Sequence, residues 1–227
     1  HSYLPGERTL SKELDLARPA LREAMQRLNR DGWLDIQQGK PTRIRDYLQD
    51  GNLNILVGLL KTNPDLVPNL VPNLLEMWQL LAPQYTASTT RRAPGLMIDL
   101  LHEFQDLPQE PEVYAESMWQ LHHLLITYCD NLIYGLIFNT FQDFYEQLAV
   151  YYFHDKQHRE QARDLWAALI PAAQDLDTDQ SAALIAEHLA RAAAFWQEIT
   201  IEQYREEVLP DLEPPDELEK PEKKKKK

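Results

Sequence analysis

A single cysteine, Cys129, in 227 residues excludes a disulfide framework and any zinc site built on cysteines, and it points to a reducing compartment. Glycine is scarce too, 7 residues against 15 prolines; with 9% aromatics this favours helices broken at prolines over an all-β sandwich. No apolar run approaches the roughly 20 residues of a membrane span, and no signal peptide is present. Phosphate-cradling glycine loops, His-Glu-x-x-His and Gly-x-Ser-x-Gly are all missing, and no pair of carboxylates stands out as a catalytic dyad, so an enzyme is not expected. Cys129 has no base beside it in sequence and reads as a buried thiol. What is present is 44% apolar residues, enough for a sizeable core. The chain starts at His1 rather than Met, which reads as a fragment.

The net charge of −13 argues at first sight against nucleic acid. Its distribution does not: residues 1–46 balance at +2 and residues 47–210 at −15. A weakly basic head on a strongly acidic body is the asymmetry expected when a nucleic-acid-binding module is joined to a separate domain.

The head carries a recognisable order. Arg8–Leu14 is helical, Asp15-Leu16-Ala17 is a turn, and Arg18–Arg30 is a strong helix with Pro19 in its first turn, where a missing N–H costs nothing. Asp31-Gly32 ends that helix. Leu21, Ala24, Met25 and Leu28 form its core stripe, leaving Arg18 and Arg22 to point outward together. Two short strand-like runs follow, 33–36 and 41–44, joined by the polar tip Gln37-Gln38-Gly39-Lys40. Helix, turn, helix and hairpin is the order of a winged helix-turn-helix, whose second helix enters the major groove while the hairpin tip follows backbone or minor groove. Arginine suits such a surface because its fork pairs with phosphates and guanine edges.

Leu4-Pro5-Gly6-Glu7-Arg8, the run Ala17 to Ala24, and Arg30-Asp31-Gly32-Trp33-Leu34 followed by Gln37 to Thr42 resemble the head of the GntR superfamily, and within it the fatty-acid-responsive FadR group. In that group a further helix precedes the first of these motifs. The resemblance implies DNA contacts from Arg8, from Ala17, Arg18, Pro19, Ala20 and Arg22 at the recognition helix, and from Gln38, Gly39 and Lys40 at the wing. Ala17, Pro19 and Ala20 stand where the group has threonines, and Gln38 where it has histidine, so an altered operator preference is expected.

From the residues themselves, 46–52 is a polar linker, and beyond it prolines 64, 68, 72, 83, 94, 108, 111 and 171 punctuate apolar-periodic segments. Helices are expected near 53–61, 66–87, 93–105, 110–129, 131–153, 157–173 and 178–203. The predicted architecture is mainly α: a winged head at 1–45, an all-α bundle of seven helices at 53–209, and a disordered charged tail at 210–227. Leu53 to Leu56, Val67-Pro68 with Asn73 to Leu75, Ile133 to Ile137 with Asn139, and Tyr151 to Phe153 extend the same resemblance into the body.

The resemblance implies a homodimeric, cytoplasmic regulator on a palindromic DNA operator. Bound to DNA it would repress fatty-acid degradation genes and activate unsaturated fatty-acid synthesis genes, and long-chain acyl-CoA inside the bundle would release it. Of the positions that grip the nucleotide in the group, this chain keeps Trp196 and otherwise has Trp78, Ala186, His188, Arg191, Ala192 and Ile201. Phe144, Tyr145 and Tyr152, with Phe138, Phe141 and Tyr151, are candidates to line an acyl tunnel or simply to build the core. His123 and His188 fall near two ligand positions of a metal site found in many relatives of the superfamily; Met118 or Trp119 and Trp166 occupy the others. No metal and no resident cofactor are therefore expected, and His122-His123 reads as a helix face. Two alternatives stay open: a GntR-type regulator answering another metabolite, and a lipid-binding or scaffold protein without DNA binding.

Overall fold

A computed structural model describes residues 2–208; within that span the side chains of residues 54, 57, 60–62, 64, 143, 144, 205, 207 and 208 are not described. The predicted tail and the charges in it lie outside the described residues. Helix α1 (Glu7–Glu13) and α2 (Arg18–Arg30) precede strands β1 (Leu34–Asp35) and β2 (Arg43–Ile44), which pair antiparallel with Leu34 opposite Ile44. Gly32 follows α2 with φ +96°, the left-handed conformation that glycine adopts without strain and that stops a helix. Asn29 Oδ1 accepts from the Ile36 N–H at 3.1 Å and ties the end of α2 to the wing. A third edge was not read from the sequence: Leu4 N–H donates to Thr42 O and Ile44 N–H to Ser2 O, so β2 lies between β1 and the start of the chain.

The head has its own small core of Leu21, Met25 and Leu34, with Leu4, Leu10, Trp33 and Ile36 around it. The four-residue stripe predicted on α2 is only half realised. Leu21 and Met25 are buried, while Ala24 and Leu28 are exposed, because α1 and a hairpin of two-residue strands cover only one side of a thirteen-residue helix. The predicted linker is also structured: Asp46 caps the one-turn helix α3 (Tyr47–Asp50) through the Leu48 N–H, and Arg43 pairs with Asp50 at 3.0 Å.

The body is all helical: α4 (Leu53–Thr62), α5 (Val67–Arg92), α6 (Pro94–Glu103), α7 (Pro111–Tyr128), α8 (Leu132–Asn139), α9 (Gln142–Phe153), α10 (Lys156–Gln174), α11 (Thr178–Glu198) and α12 (Ile201–Val208). Helices α5 and α11 pack along most of their length; α7 lies on α9, and α10 on α6 and α11. Pro72 and Pro83 do not interrupt α5, and Pro171 stays inside α10. Each costs one backbone hydrogen bond, which packing along α11 outweighs.

Two predicted helices are each broken in two. Thr140 Oγ1 donates back to Leu136 O at 2.9 Å, competing with continuation of α8 into α9. Thr200 and Gln203 bond reciprocally: Gln203 N–H donates to Thr200 Oγ1 at 3.2 Å and Thr200 N–H to Gln203 Oε1 at 3.0 Å, a capping box that starts α12. Cys129 ends α7 half-buried, its thiol donating to Ile126 O, rather than lying in the core.

Helix α11 begins on Asp177, which accepts from the Gln180 N–H at 2.9 Å after the left-handed Leu176. Asp177→Ala should therefore lower stability by about 1 kcal/mol, read as a shift of the urea midpoint at unchanged slope.

Candidate DNA interface and ligand cavity

Charge in the head gathers where α1 meets α2. Arg22 donates to Glu7 from Nη2 at 2.7 Å and from Nε at 3.3 Å, across fifteen residues of sequence. That hydrogen bond holds the Glu7 carboxyl below its usual range, with the Arg22 and Arg18 charges adding to it. Arg18 and Arg22 therefore face a common point at the first turns of α2, and Arg8 projects, exposed, from the residue after Glu7. Ala17 is the N-cap of α2 with no side-chain bond of its own, followed by Arg18, Pro19 and Ala20, all exposed. A small or ring side chain here leaves the N-terminal N–H groups of α2 uncovered, which suits an approaching phosphate.

The wing tip is exposed at Gln37, Gln38, Gly39 and Lys40. Gly39 has φ +76°, and a Cβ there would meet nothing within 4 Å, so backbone conformation rather than space requires glycine. Lys40 Nζ donates to Gln37 Oε1 at 2.8 Å, which steadies the tip. Among the described residues no bond of this kind holds Gln38.

Glu7 is the residue that the sequence reading overlooked. It neutralises one arginine of the candidate surface while the chain is free of DNA. Glu7→Gln should raise affinity for any duplex severalfold, more at low salt than at high, measured by fluorescence anisotropy at two ionic strengths.

Inside the body, α5, α7, α8, α9 and α11 enclose an apolar cavity of about 110 Å³. Trp78, Tyr145, Tyr152, His188 and Trp196, five of the predicted ligand residues, line it together with Phe138 and Phe141. The Phe144 side chain lies outside the described residues, and Tyr151 packs instead against Phe195, Trp196 and Tyr204. One wall is a lattice of rings: Trp119 stacks on Phe138 at 4.0 Å between centroids, and Trp78 meets Phe138 edge-on at 5.3 Å. A dry cavity of ~150 Å³ is known to accept a single benzene ring, so a long alkyl chain enters this one only if that wall parts.

Two histidines face the cavity from its walls, and neither is on the surface as the pattern at 122–123 suggested for His122. His122 is buried, its Nδ1 2.7 Å from the Tyr85 hydroxyl, and burial lowers its pKa to about 4. Burial lowers His188 further, to about 3, with the charges of His122, Arg191 and His158 adding to the effect. Both rings are therefore neutral near pH 7. His188 also lines a second pocket, of about 170 Å³, between α10 and α11 with Gln161, Asp164, Glu187 and Arg191. Arg191 thus lies not in the apolar cavity but beside it, ion-paired with Glu187. Tyr85 and His122, joined across helices, carried no sequence signal; a buried tyrosine–histidine pair 37 residues apart follows no spacing rule.

No group of three or more histidine, cysteine, aspartate or glutamate side chains is placed to hold a metal ion among the described residues. Nor is any helix among them long and apolar enough to cross a membrane.

Comparison with known proteins covers nearly the whole chain. The profile described as bacterial regulatory proteins, gntR family, matches residues 1–44, and that of the FadR C-terminal domain matches residues 45–206. The fatty acid metabolism regulator protein of Shewanella pealeana is 36% identical over 198 residues, 87% of this chain and 83% of that protein. That of Shewanella frigidimarina is 35% identical over the same shares. A Streptococcus agalactiae GntR structure covers 86% of this chain and is covered to 90%, at 18% identity and a TM-score of 0.47. A winged head bearing exposed arginines, an all-α body enclosing a cavity, and the two family profiles with the Shewanella relatives make the chain a member of the GntR family with a FadR C-terminal domain, a DNA-binding transcription regulator and not an enzyme.

Proposed function

We infer that this regulator governs genes of fatty-acid metabolism and that long-chain acyl-CoA entering the bundle releases it from its operator. In this reading it represses degradation genes and activates genes of unsaturated fatty-acid synthesis. The observation that carries the ligand class is the apolar cavity lined by His188, a side chain that also lines a second pocket with Arg191. An acyl chain matches the first and a charged head the second. The names of the Shewanella relatives support the same metabolism.

On the DNA side, Arg8, Arg18 and Arg22, with the α2 N-terminus at Ala17, Pro19 and Ala20, meet one major groove, and Gln38, Gly39 and Lys40 follow the neighbouring backbone. A homodimer presents two such heads to a palindromic site in the cytoplasm, and two heads bound together gain avidity. Parting the ring wall around Trp78 and Phe138 moves α5 and α8. Trp33 of the head rests on α4, where a Cβ at Gly58 would come within 3.3 Å of its ring, so movement of the body reaches the head through α4. A coupling of about 1–3 kcal/mol, roughly 5- to 150-fold in DNA affinity, is the scale such switches reach.

One observation favours a ligand other than a nucleotide ester. Arg191 is the single cation among the described residues lining the two pockets, and Glu187 already pairs with it. The deciding experiment is operator binding with and without oleoyl-CoA. Release of a palindromic FadR-type site at micromolar ligand supports the acyl-CoA switch. Tight binding indifferent to oleoyl-CoA keeps the regulator and removes that ligand.

A further inference from the structure

Two polar atoms at the cavity wall have no hydrogen-bond partner although both are buried: Nδ1 of His188 and the hydroxyl of Tyr152. Their residues are 5% exposed each, and both line the same apolar cavity. The two rings meet edge to face, 6.5 Å between centroids at 89°. Buried polar atoms are nearly always paired, and two orphans on side chains that line one otherwise apolar space ask for a partner that enters it.

The surroundings fix Tyr152 without using its hydroxyl. His158 stacks on its ring at 4.0 Å, nearly parallel, and His158 Nδ1 lies 2.7 Å from the Tyr152 carbonyl oxygen. Arg191 lines the second pocket together with His188. The set therefore comprises a phenol donor, an imidazole nitrogen that donates in the Nδ1–H tautomer and one cation, beside Trp78, Phe138 and Met118 of the same lining.

We propose that His188 and Tyr152, with Arg191 behind them, form a carboxylate-recognition site at the mouth of the cavity, and that the effector domain binds an unesterified fatty acid. The inference rests on the part of the proposed function that puts an alkyl chain in the cavity, and replaces the CoA ester of that reading by the free acid. A carboxylate is an acceptor with two oxygens and a single charge; the Tyr152 hydroxyl donates to one oxygen and the His188 N–H to the other. One cation balances one negative charge. The several charges of a nucleotide ester have no such match here, because Glu187 and Asp164 line the pocket on the Arg191 side. An ester or thioester carbonyl offers both donors one uncharged oxygen, a weaker acceptor than a carboxylate.

The test measures binding to the full chain by tryptophan fluorescence, to which Trp78, Trp119 and Trp196 of the cavity lining contribute, using dodecanoate, methyl dodecanoate and dodecanoyl-CoA as probes. Dodecanoate should bind at least tenfold more tightly than the methyl ester. Tyr152→Phe and His188→Leu should each weaken dodecanoate about tenfold and leave the methyl ester unchanged. Should His188→Leu fail to fold, Tyr152→Phe, which removes one oxygen only, decides alone. Equal binding of acid and ester to the wild type, or equal weakening of both by Tyr152→Phe, overturns the carboxylate site and keeps the alkyl cavity. Binding of dodecanoyl-CoA without dodecanoate does the same and restores the nucleotide. If none of the three binds, the cavity reading falls together with the head group.

Discussion

Replacing Arg18 and Arg22 together by alanine should lower operator affinity by about 100-fold or more, and adding Arg8→Ala should leave only non-specific binding. A bidentate arginine on a guanine edge carries about 1–3 kcal/mol of discrimination, and each lost phosphate contact lowers the slope of log affinity against log salt by about one. The salt titration therefore sorts the three. An arginine reading a base relaxes sequence preference with little change of slope, and one on a phosphate weakens all sequences alike. All three side chains are exposed and the only described pair lost is the exposed Glu7–Arg22 one, which solvent screening makes weak, so the variants should stay folded and lost affinity reports lost contacts. Arg163→Ala, exposed on α10, is the control and should bind DNA as the wild type does. An unchanged operator affinity in the triple variant would remove the assignment of this face.

The second large effect concerns acid. His122 and His188 have folded pKa values of about 4 and about 3, both depressed by burial below the ordinary 6.5. Near pH 7 they are neutral in folded and unfolded chain alike. As pH falls below 6.5 the unfolded chain takes up protons that the buried rings refuse, so stability declines until the folded pKa values are reached. At pH 5 the loss is about 2 kcal/mol for each histidine, a substantial part of a typical domain's stability. Exposed carboxylates add their own acid dependence, so the comparison is between wild type and His188→Leu in urea at pH 7 and pH 5. The variant should gain about 2 kcal/mol on the wild type over that interval. A difference independent of pH would show that His188 titrates normally and is not buried neutral.

The places where sequence and structure part are instructive residue by residue. The break before α12 was legible: Thr200-Ile201-Glu202-Gln203 is a capping-box pattern, passed over because the apolar period continues across it. The break at Thr140 was less so, since a threonine inside a helical pattern bonds backward only in some settings. Pro72 and Pro83 misled in the opposite direction. Proline is a local signal against a helix interior, while packing along α11 is a long-range term that a window of sequence does not contain. Leu28 of α2 has the correct period for burial and is 42% exposed, because period gives the face of a helix and not what lies against it.

Local chemistry was enough for the candidate DNA face. Helix, turn, helix and hairpin, the arginines at 18 and 22 and the glycine at 39 are short-range features, and each follows from a spacing or a backbone preference within forty residues. That Glu7 reaches Arg22, and so restrains one of those arginines, needed the packing of α1 on α2. For the cavity the division is sharper. Trp78, Tyr152, His188 and Trp196 were individually visible as aromatic or polar residues on helical stripes. Whether such residues fill a core or surround a space depends on how five helices meet, and so does the choice of which polar atoms among them stay unpaired. Those outcomes are set by side chains as far apart in sequence as Val71 and Trp196, which only the folded chain brings round one space.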